Sequence, residues 1–197
     1  MALLGRLTAL LTLVNLTSAA PVKPRQDPQC VNGVAQIFMP EMHNLYLYSG
    51  VPQFPSQATI LNVMNGSSSQ SVQDQIARWS NIPSTATNCE FGWSQAAERS
   101  FSVYDNGLIN YQQISGLPSG NITADSIQPF LTSTSPGGSV DTTFWPETTG
   151  AHSHLGGSVN CGSEVVIHLS KNMVEGGAGS VTLEQDAQNG LWLRYNC

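Results

Sequence analysis

The residues most able to do chemistry in this chain are two histidines separated by one serine, His152 and His154. Side chains two positions apart on an extended strand share a face, so both imidazoles could hold one zinc or copper ion. A third ligand is needed, and Glu164 lies ten positions further on, while His168 and His43 would have to be brought in by folding. The alternative is a pair of solvated histidines in a glycine-bounded loop. We therefore expect no metal or other cofactor, and treat the pair as the one place where a metal could bind.

Other catalytic patterns are weaker. The sequence has no Gly-x-Ser-x-Gly nucleophile motif, and its many serines single out no Ser-His-Asp set. A glycosidase needs two carboxylates across a cleft, and the sequence does not say which of its acidic residues converge. The candidates are Asp74, Glu90, Asp105, Glu147 and Glu184. We expect a protein that is not an enzyme, with a metal-dependent secreted enzyme as an alternative.

Aromatic side chains offer a second chemistry, because their flat apolar faces stack on pyranose rings while amides supply hydrogen bonds. Trp192 is the first candidate for an exposed ring, since it alternates with Leu191 and Leu193 and so lies on the opposite face of its strand. Trp145, next to Pro146 in a loop, is the second. These residues are the candidates for a carbohydrate-binding surface.

The four cysteines, Cys30, Cys89, Cys161 and Cys197, indicate two disulfides. No pair has the close spacing that structural zinc sites show. If the last three strands form a meander, Cys161 and Cys197 lie at opposite ends of a sheet and cannot bond. We therefore predict bonds between Cys89 and Cys197 and between Cys30 and Cys161.

The first 20 residues have the pattern of a secretory signal peptide. Arg6 is followed by an apolar stretch, 7–16, and by small residues at 17–20. Residues 21–35 begin with a proline-rich segment and predict a flexible leader. Two glycosylation sequons beyond the signal, at Asn65 and Asn121, fit the same secretory route.

Charge excludes one class of partner. The chain has 13 Asp and Glu against 7 Lys and Arg, and charged residues make up only 10% of it. A nucleic-acid-binding protein needs a basic face, so we expect no nucleic acid partner. No other stretch is long and apolar enough for a membrane span, and we expect no membrane association after signal cleavage.

Short strands separated by turn residues dominate the chain from residue 36 onward. Asn106-Gly107 separates two apolar runs and predicts a hairpin, as does Asn189-Gly190. Together with the apolar run 165–169, the second hairpin predicts an antiparallel meander, whereas 71–79 fits either a helix or a strand. The fold class expected for 36–197 is all-β: one antiparallel, jelly-roll-like β-sandwich stabilised by disulfides.

Several segments resemble a known family in pattern and order. They are Trp79-Ser-Asn-Ile-Pro83, Asn88-Cys89-Glu-Phe91, Ser100-Phe-Ser-Val103, Ser158-Val-Asn-Cys161-Gly, 165–169, Leu183-Glu-Gln-Asp186 and the closing Gly190-Leu-Trp-Leu-Arg-Tyr-Asn-Cys197. This pattern is similar to the C-terminal domain of the fungal proteins named for binding the ubiquitin-like-activating enzyme Uba-three, the But-two-like proteins. The resemblance implies a secreted-type β-sandwich and brings no catalytic residues.

Together these features predict a secreted fungal protein that is not catalytic and acts at the cell wall or in surface interactions. Its expected partners are a wall polysaccharide or a surface protein. A carbohydrate-binding module that recognises wall or plant polysaccharide is the alternative.

Overall fold

The computed structural model describes residues 28–47, 56–66, 72–131 and 135–197. Thirteen strands are found in this part of the chain. They are β1 Val34–Phe38, β2 Glu41–Tyr46, β3 Ser56–Ala58, β4 Ile60–Asn65, β5 Val72–Ser80, β6 Thr87–Gln95, β7 Phe101–Asp105, β8 Leu108–Ile114, β9 Gly137–Asp141, β10 His152–Ser158, β11 Glu164–Lys171, β12 Gly179–Glu184 and β13 Gly190–Asn196. Two single-turn helices, α1 Ala124–Ile127 and α2 Met173–Gly176, and two 3-10 turns, Gln128–Phe130 and Trp145–Glu147, complete the elements. None of these helices is long and apolar enough to cross a bilayer.

The strands form two antiparallel sheets. The small sheet has the order β1-β13-β6-β10. The large sheet has the order β7-β12-β4-β5-β11-β8-β9, and β2 also pairs with β5 and carries β3. This arrangement confirms the predicted all-β antiparallel sandwich.

The main core lies between the sheets and is built by period-two alternation. β13 turns Leu191, Leu193 and Tyr195 inward, and the facing strands of the large sheet supply Val165, Ile167 and Val181, all nearly inaccessible to water. Burying a large apolar side chain contributes about 1.5 to 3 kcal/mol, so this alternation fixes which face of each strand is inside.

A second, smaller core covers the outer face of the large sheet. Ile76 and Val166 project outward from β5 and β11 and pack against Ile127 of α1. Thr123 caps α1, because its side chain accepts a hydrogen bond from the backbone of Ser126, whose own hydroxyl accepts from the backbone of Thr123.

The predicted hairpins and meander are wrong in their pairing. β7 pairs with β12 and β8 pairs with β11, although only two residues separate β7 from β8. So short a connection spans roughly 10 Å at most. The large sheet must therefore curl until β7, at one end of its strand order, approaches β8 near the other end. Asn106 holds this corner, since its amide donates to the carbonyls of Asn172 and Gly177 at 3.2 and 2.7 Å. β13 belongs to the small sheet, so the turn at Asn189-Gly190 joins two different sheets.

Both expected disulfides form, but the predicted pairing is wrong. The bonds join Cys30 to Cys197 and Cys89 to Cys161, with Cα atoms 6.5 and 5.3 Å apart. The predicted pairs were Cys89 with Cys197 and Cys30 with Cys161, and they depended on the meander. In the observed sheet β1 runs antiparallel to β13, which brings the start of one strand against the end of the other. β6 and β10 do the same for the second bond. No bond joins Cys161 to Cys197, as predicted.

The first strand begins slightly before the predicted domain boundary at residue 36. β1 starts at Val34, and Cys30 is already bonded to the end of the chain. Residues 1–27, which carry the predicted signal peptide and the first seven residues of the predicted leader, lie outside the described residues.

Candidate functional site

The two histidines singled out above lie on β10, at one edge of the small sheet. His152 is opposite Gln95 and His154 is opposite Trp93, near the end of β6. Their rings are stacked with centroids 6.0 Å apart. His152 Nε2 donates to the carbonyl of Thr149 at 2.9 Å, so one of its nitrogens is already engaged.

His154 is held between two indole rings. Its ring centroid lies 3.9 Å from that of Trp93 and 3.7 Å from that of Trp145. Burial lowers the pKa of the His154 imidazole below its ordinary value, and neighbouring His152 lowers it further. Its Nε2 is buried and finds no hydrogen-bond partner among the described residues, and the same holds for Oε1 of Gln95. The ring is therefore neutral at neutral pH and acts here as an aromatic surface.

The histidines do not converge on a metal site. His168 lies on the other side of the large sheet, where its Nε2 donates to Asp74 Oδ2 at 2.9 Å. His43 is also on that side and contacts Glu41 at 3.0 Å. Within the described ranges, no three His, Cys, Asp or Glu side chains form a group suited to a metal ion.

Trp192, the first candidate for an exposed aromatic ring, is buried, and that prediction is wrong. It does lie on the outer face of β13, as its alternation indicated, but it is only 2% exposed. The ring lies across Gly92, where an added Cβ would come within 2.2 Å of it, and the guanidinium of Arg194 stands 5.4 Å from its centroid. Glu90 holds Arg194 in place through an ion pair.

Trp145, the second candidate, lies at the surface. It opens a 3-10 turn, is half-buried, and donates from Nε1 to the carbonyl of Asp141 at 3.0 Å. Its neighbour Phe144 is 74% exposed. These two residues, with Asp141 and Thr148, line a cavity of about 370 Å³. Ligand pockets are often of this size and largely apolar, with a few polar groups.

One arginine fixes the loop that carries these rings. Arg99, which is distant in sequence, donates to the carbonyls of Trp145, Pro146 and Thr148. It also donates to carbonyls close to itself in the chain. Gln95 Nε2 adds a bond to the carbonyl of Trp145 at 3.4 Å. Both terminal nitrogens of the guanidinium therefore bind backbone carbonyls and hold the turn in position.

Sequence reasoning missed Asp141, Phe144 and Thr148. The available indication was the Phe-Trp-Pro run at 144–146 between polar residues. Two adjacent aromatic residues before a proline do not show the alternation of a strand, and one of them is then free to face solvent.

A second cavity, of about 720 Å³, lies at the opposite end of the small sheet beside the Cys89–Cys161 bond. Its polar groups include Asn88, Asn160 and Asn196, but no aromatic ring lines it. Its charged groups, Glu90 and Arg194, bind each other. It therefore lacks the flat apolar surface that the first cavity offers.

The remaining predicted sites occupy different settings. Asn121 is exposed just before α1, whereas Asn65 is the half-buried last residue of β4, paired with Gly179. Glycosylation of both stays a prediction. Of the candidate carboxylates, Asp74 is bound to His168 and Glu90 to Arg194.

Comparison of this chain with protein-family models, with curated proteins and with solved structures gave no match.

Proposed function

We propose that this chain is a secreted, non-catalytic protein of the cell wall that binds polysaccharide through the cavity formed by Asp141, Phe144, Trp145 and Thr148. The observation that carries the proposal is the exposed ring of Phe144 beside the indole of Trp145, which the rest of the protein holds in a fixed position. Sugar rings stack on such surfaces, and the preformed geometry reduces the entropy lost on binding.

Rigidity distinguishes this surface from a chance exposed aromatic residue. Trp145 packs against His154 and also against Trp93, whose centroid lies 5.5 Å away. Arg99 holds the backbone of the same turn. A ring restrained in this way presents one orientation to a ligand, and the two polar residues of the lining, Asp141 and Thr148, supply hydrogen-bonding groups.

The secretory part of the proposal is supported by two kinds of evidence. The sequence begins with the pattern of a signal peptide. The chain also has two disulfides, and disulfides form and persist mainly in oxidising compartments. The resemblance to a family of fungal secreted proteins favours a fungal wall as the setting.

The test is binding of the purified protein to a panel of wall polysaccharides and their oligosaccharides, followed by calorimetry with Phe144→Ala. We expect this variant to lose about 1 to 3 kcal/mol of binding free energy, about 5- to 150-fold in affinity, with unchanged thermal stability. Tyr104→Ala is the matched control, because Tyr104 is 70% exposed but does not line the cavity. Equal losses in both variants would contradict the assignment of the site, and a wild-type protein that binds no polysaccharide would contradict the function.

A further inference from the structure

The cavity combines two aromatic rings with one carboxylate, and this combination points to a ligand that carries positive charge. Asp141 ends β9 and is exposed. Its Oδ1 accepts a hydrogen bond from the backbone of Thr143 at 2.9 Å. Among the described residues, no lysine, arginine or histidine forms a salt bridge with it.

Two cationic side chains close to this part of the protein, Arg99 and Lys171, bind backbone carbonyls of the protein itself. The guanidinium of Arg99 donates hydrogen bonds to carbonyls of the 145–148 turn. Lys171 is only 5% exposed, and its Nζ donates to the carbonyl of Asn106. Asp141 acts to raise the pKa of Lys171, so Lys171 offsets part of the charge of Asp141. Lys171 does not line the cavity. Asp141 therefore lines the cavity with no cationic side chain among the other lining residues.

We infer that the cavity selects polysaccharides whose sugars carry free amino groups, the ammonium group lying against Asp141 and the ring face against Phe144 and Trp145. This inference rests on the proposed function and adds the class of sugar. Aromatic faces attract cations as well as apolar ring faces, and a hydrogen bond between ammonium and carboxylate is stronger than one between neutral groups.

The charge of the whole molecule acts in the same direction. With 13 acidic and 7 basic residues the chain is negative at neutral pH, so a polycationic glycan is attracted over a longer range than a neutral one. An N-acetylated sugar of the same linkage would stack on the same rings but would leave Asp141 facing an amide.

The experiment compares three β-1,4-linked oligosaccharides of equal length, built from glucosamine, N-acetylglucosamine and glucose, at mildly acidic pH where the amines are protonated. We expect the glucosamine oligomer to bind at least about tenfold more tightly at low salt, with an advantage that shrinks as salt is added. Asp141→Asn should lower glucosamine binding to the level of the other two, which should stay unchanged. The asparagine oxygen can still accept from Thr143, so the turn is kept.

The control is Asp105→Asn, which removes an exposed carboxylate outside the cavity. Asp105 has a φ of 55°, a conformation that asparagine also tolerates. If Asp105→Asn weakens glucosamine binding as much as Asp141→Asn does, general charge and not the cavity is responsible, and the inference fails. If the three oligosaccharides bind equally, the inference fails while the proposed function stands. If none of the three binds, the inference fails as well, and binding to the wider panel of wall polysaccharides decides the proposed function.

Discussion

Trp145 belongs both to the wall of the cavity and to the stack formed with His154 and Trp93. The stack explains why a histidine pair with the spacing of a metal site has another role here. A neutral imidazole between two indoles is a flat aromatic ring, and its nitrogen at Nε2 is shielded from any ligand. The sequence shows the spacing of His152 and His154 but not the rings that enclose one of them.

Replacing His154 by phenylalanine tests this role. The pKa of His154 is lowered in the folded protein, so the unfolded chain binds more protons as the pH falls below about 6.5. The wild type should therefore lose stability as the pH falls from about 6.5 to the lowered pKa that His154 has in the folded protein. His154→Phe keeps a ring in the stack and removes the titrating group, so the variant should lose less. Unfolding by urea at a series of pH values measures the difference, and identical acid losses would contradict it.

Trp192→Ala is expected to act on stability and not on binding. The ring is fully buried on the outer face of the small sheet, and removing a large buried aromatic side chain costs about 3 to 5 kcal/mol. Denaturant unfolding measures the loss. Trp192→Phe should cost less, because it keeps a ring and drops an Nε1 that has no partner in the described structure. A glycan-binding defect in folded Trp192→Phe would show that the buried assignment is wrong.

At the level of elements, the alternation of apolar residues predicted where the strands lie, but it did not predict which strands pair with each other. The apolar runs around Asn106 and Asn189 are strands, as predicted. Their partners come from distant parts of the chain, because each strand buries its inner face against a whole sheet and not against the next strand in sequence. Local turn chemistry at Asn-Gly fixes a change of direction, but it does not decide which sheet the chain enters next.

The strand β5 shows why one segment was ambiguous. It carries Gln73, Asp74 and Gln75, all buried, in a central position of the large sheet. Gln75 accepts from the backbone of Asn62 at 2.7 Å and donates to the carbonyl of Ile60 at 3.0 Å. These amides satisfy backbone groups of β4 where the two strands do not pair. Polar residues with such a role give no apolar pattern in the sequence.

The disulfides give a prediction for two elements, β1 and the end of β13. Peptide mapping without reduction should recover Cys30 linked to Cys197 and Cys89 linked to Cys161. Replacing Cys30 and Cys197 together by alanine should lower the free energy of unfolding by about 4 to 5 kcal/mol, because the bond closes a long loop.

Native-state hydrogen exchange separates this loss from a general one. The amides of β1, an edge strand held by β13 and this bond, should exchange first in the double variant. The matched control replaces Cys89 and Cys161, where the protection of β1 should fall no more than that of other strands. Early exchange throughout both sheets in the first variant would contradict this view.

For the molecule as a whole, the free energy of unfolding at alkaline pH should depend on the pKa of Lys171. Burial lowers its pKa from 10.5 to about 8. Between these values the unfolded chain binds more protons at this site than the folded one, so the contribution of Lys171 to the stability of the wild type rises with pH.

Lys171→Met removes this group and keeps the volume of the side chain. Its stability relative to the wild type should fall by up to about 3 kcal/mol from pH 8 to about 10.5. Tyr111 and Tyr195, whose pKa values burial raises, act in the opposite direction in both proteins and cancel in the comparison. Parallel stability curves, followed by denaturant unfolding, would show that Lys171 is not desolvated.

The bond between Cys30 and Cys197 brings the two ends of the described chain together at one pole of the sandwich. The aromatic cavity lies near the other end of β6, a strand of nine residues and so about 27 Å long. A support attached through the segment before Cys30 is therefore joined to the pole of the domain that lies away from the cavity. For the same reason, immobilisation through that segment is the orientation in which a surface-binding assay leaves the cavity open.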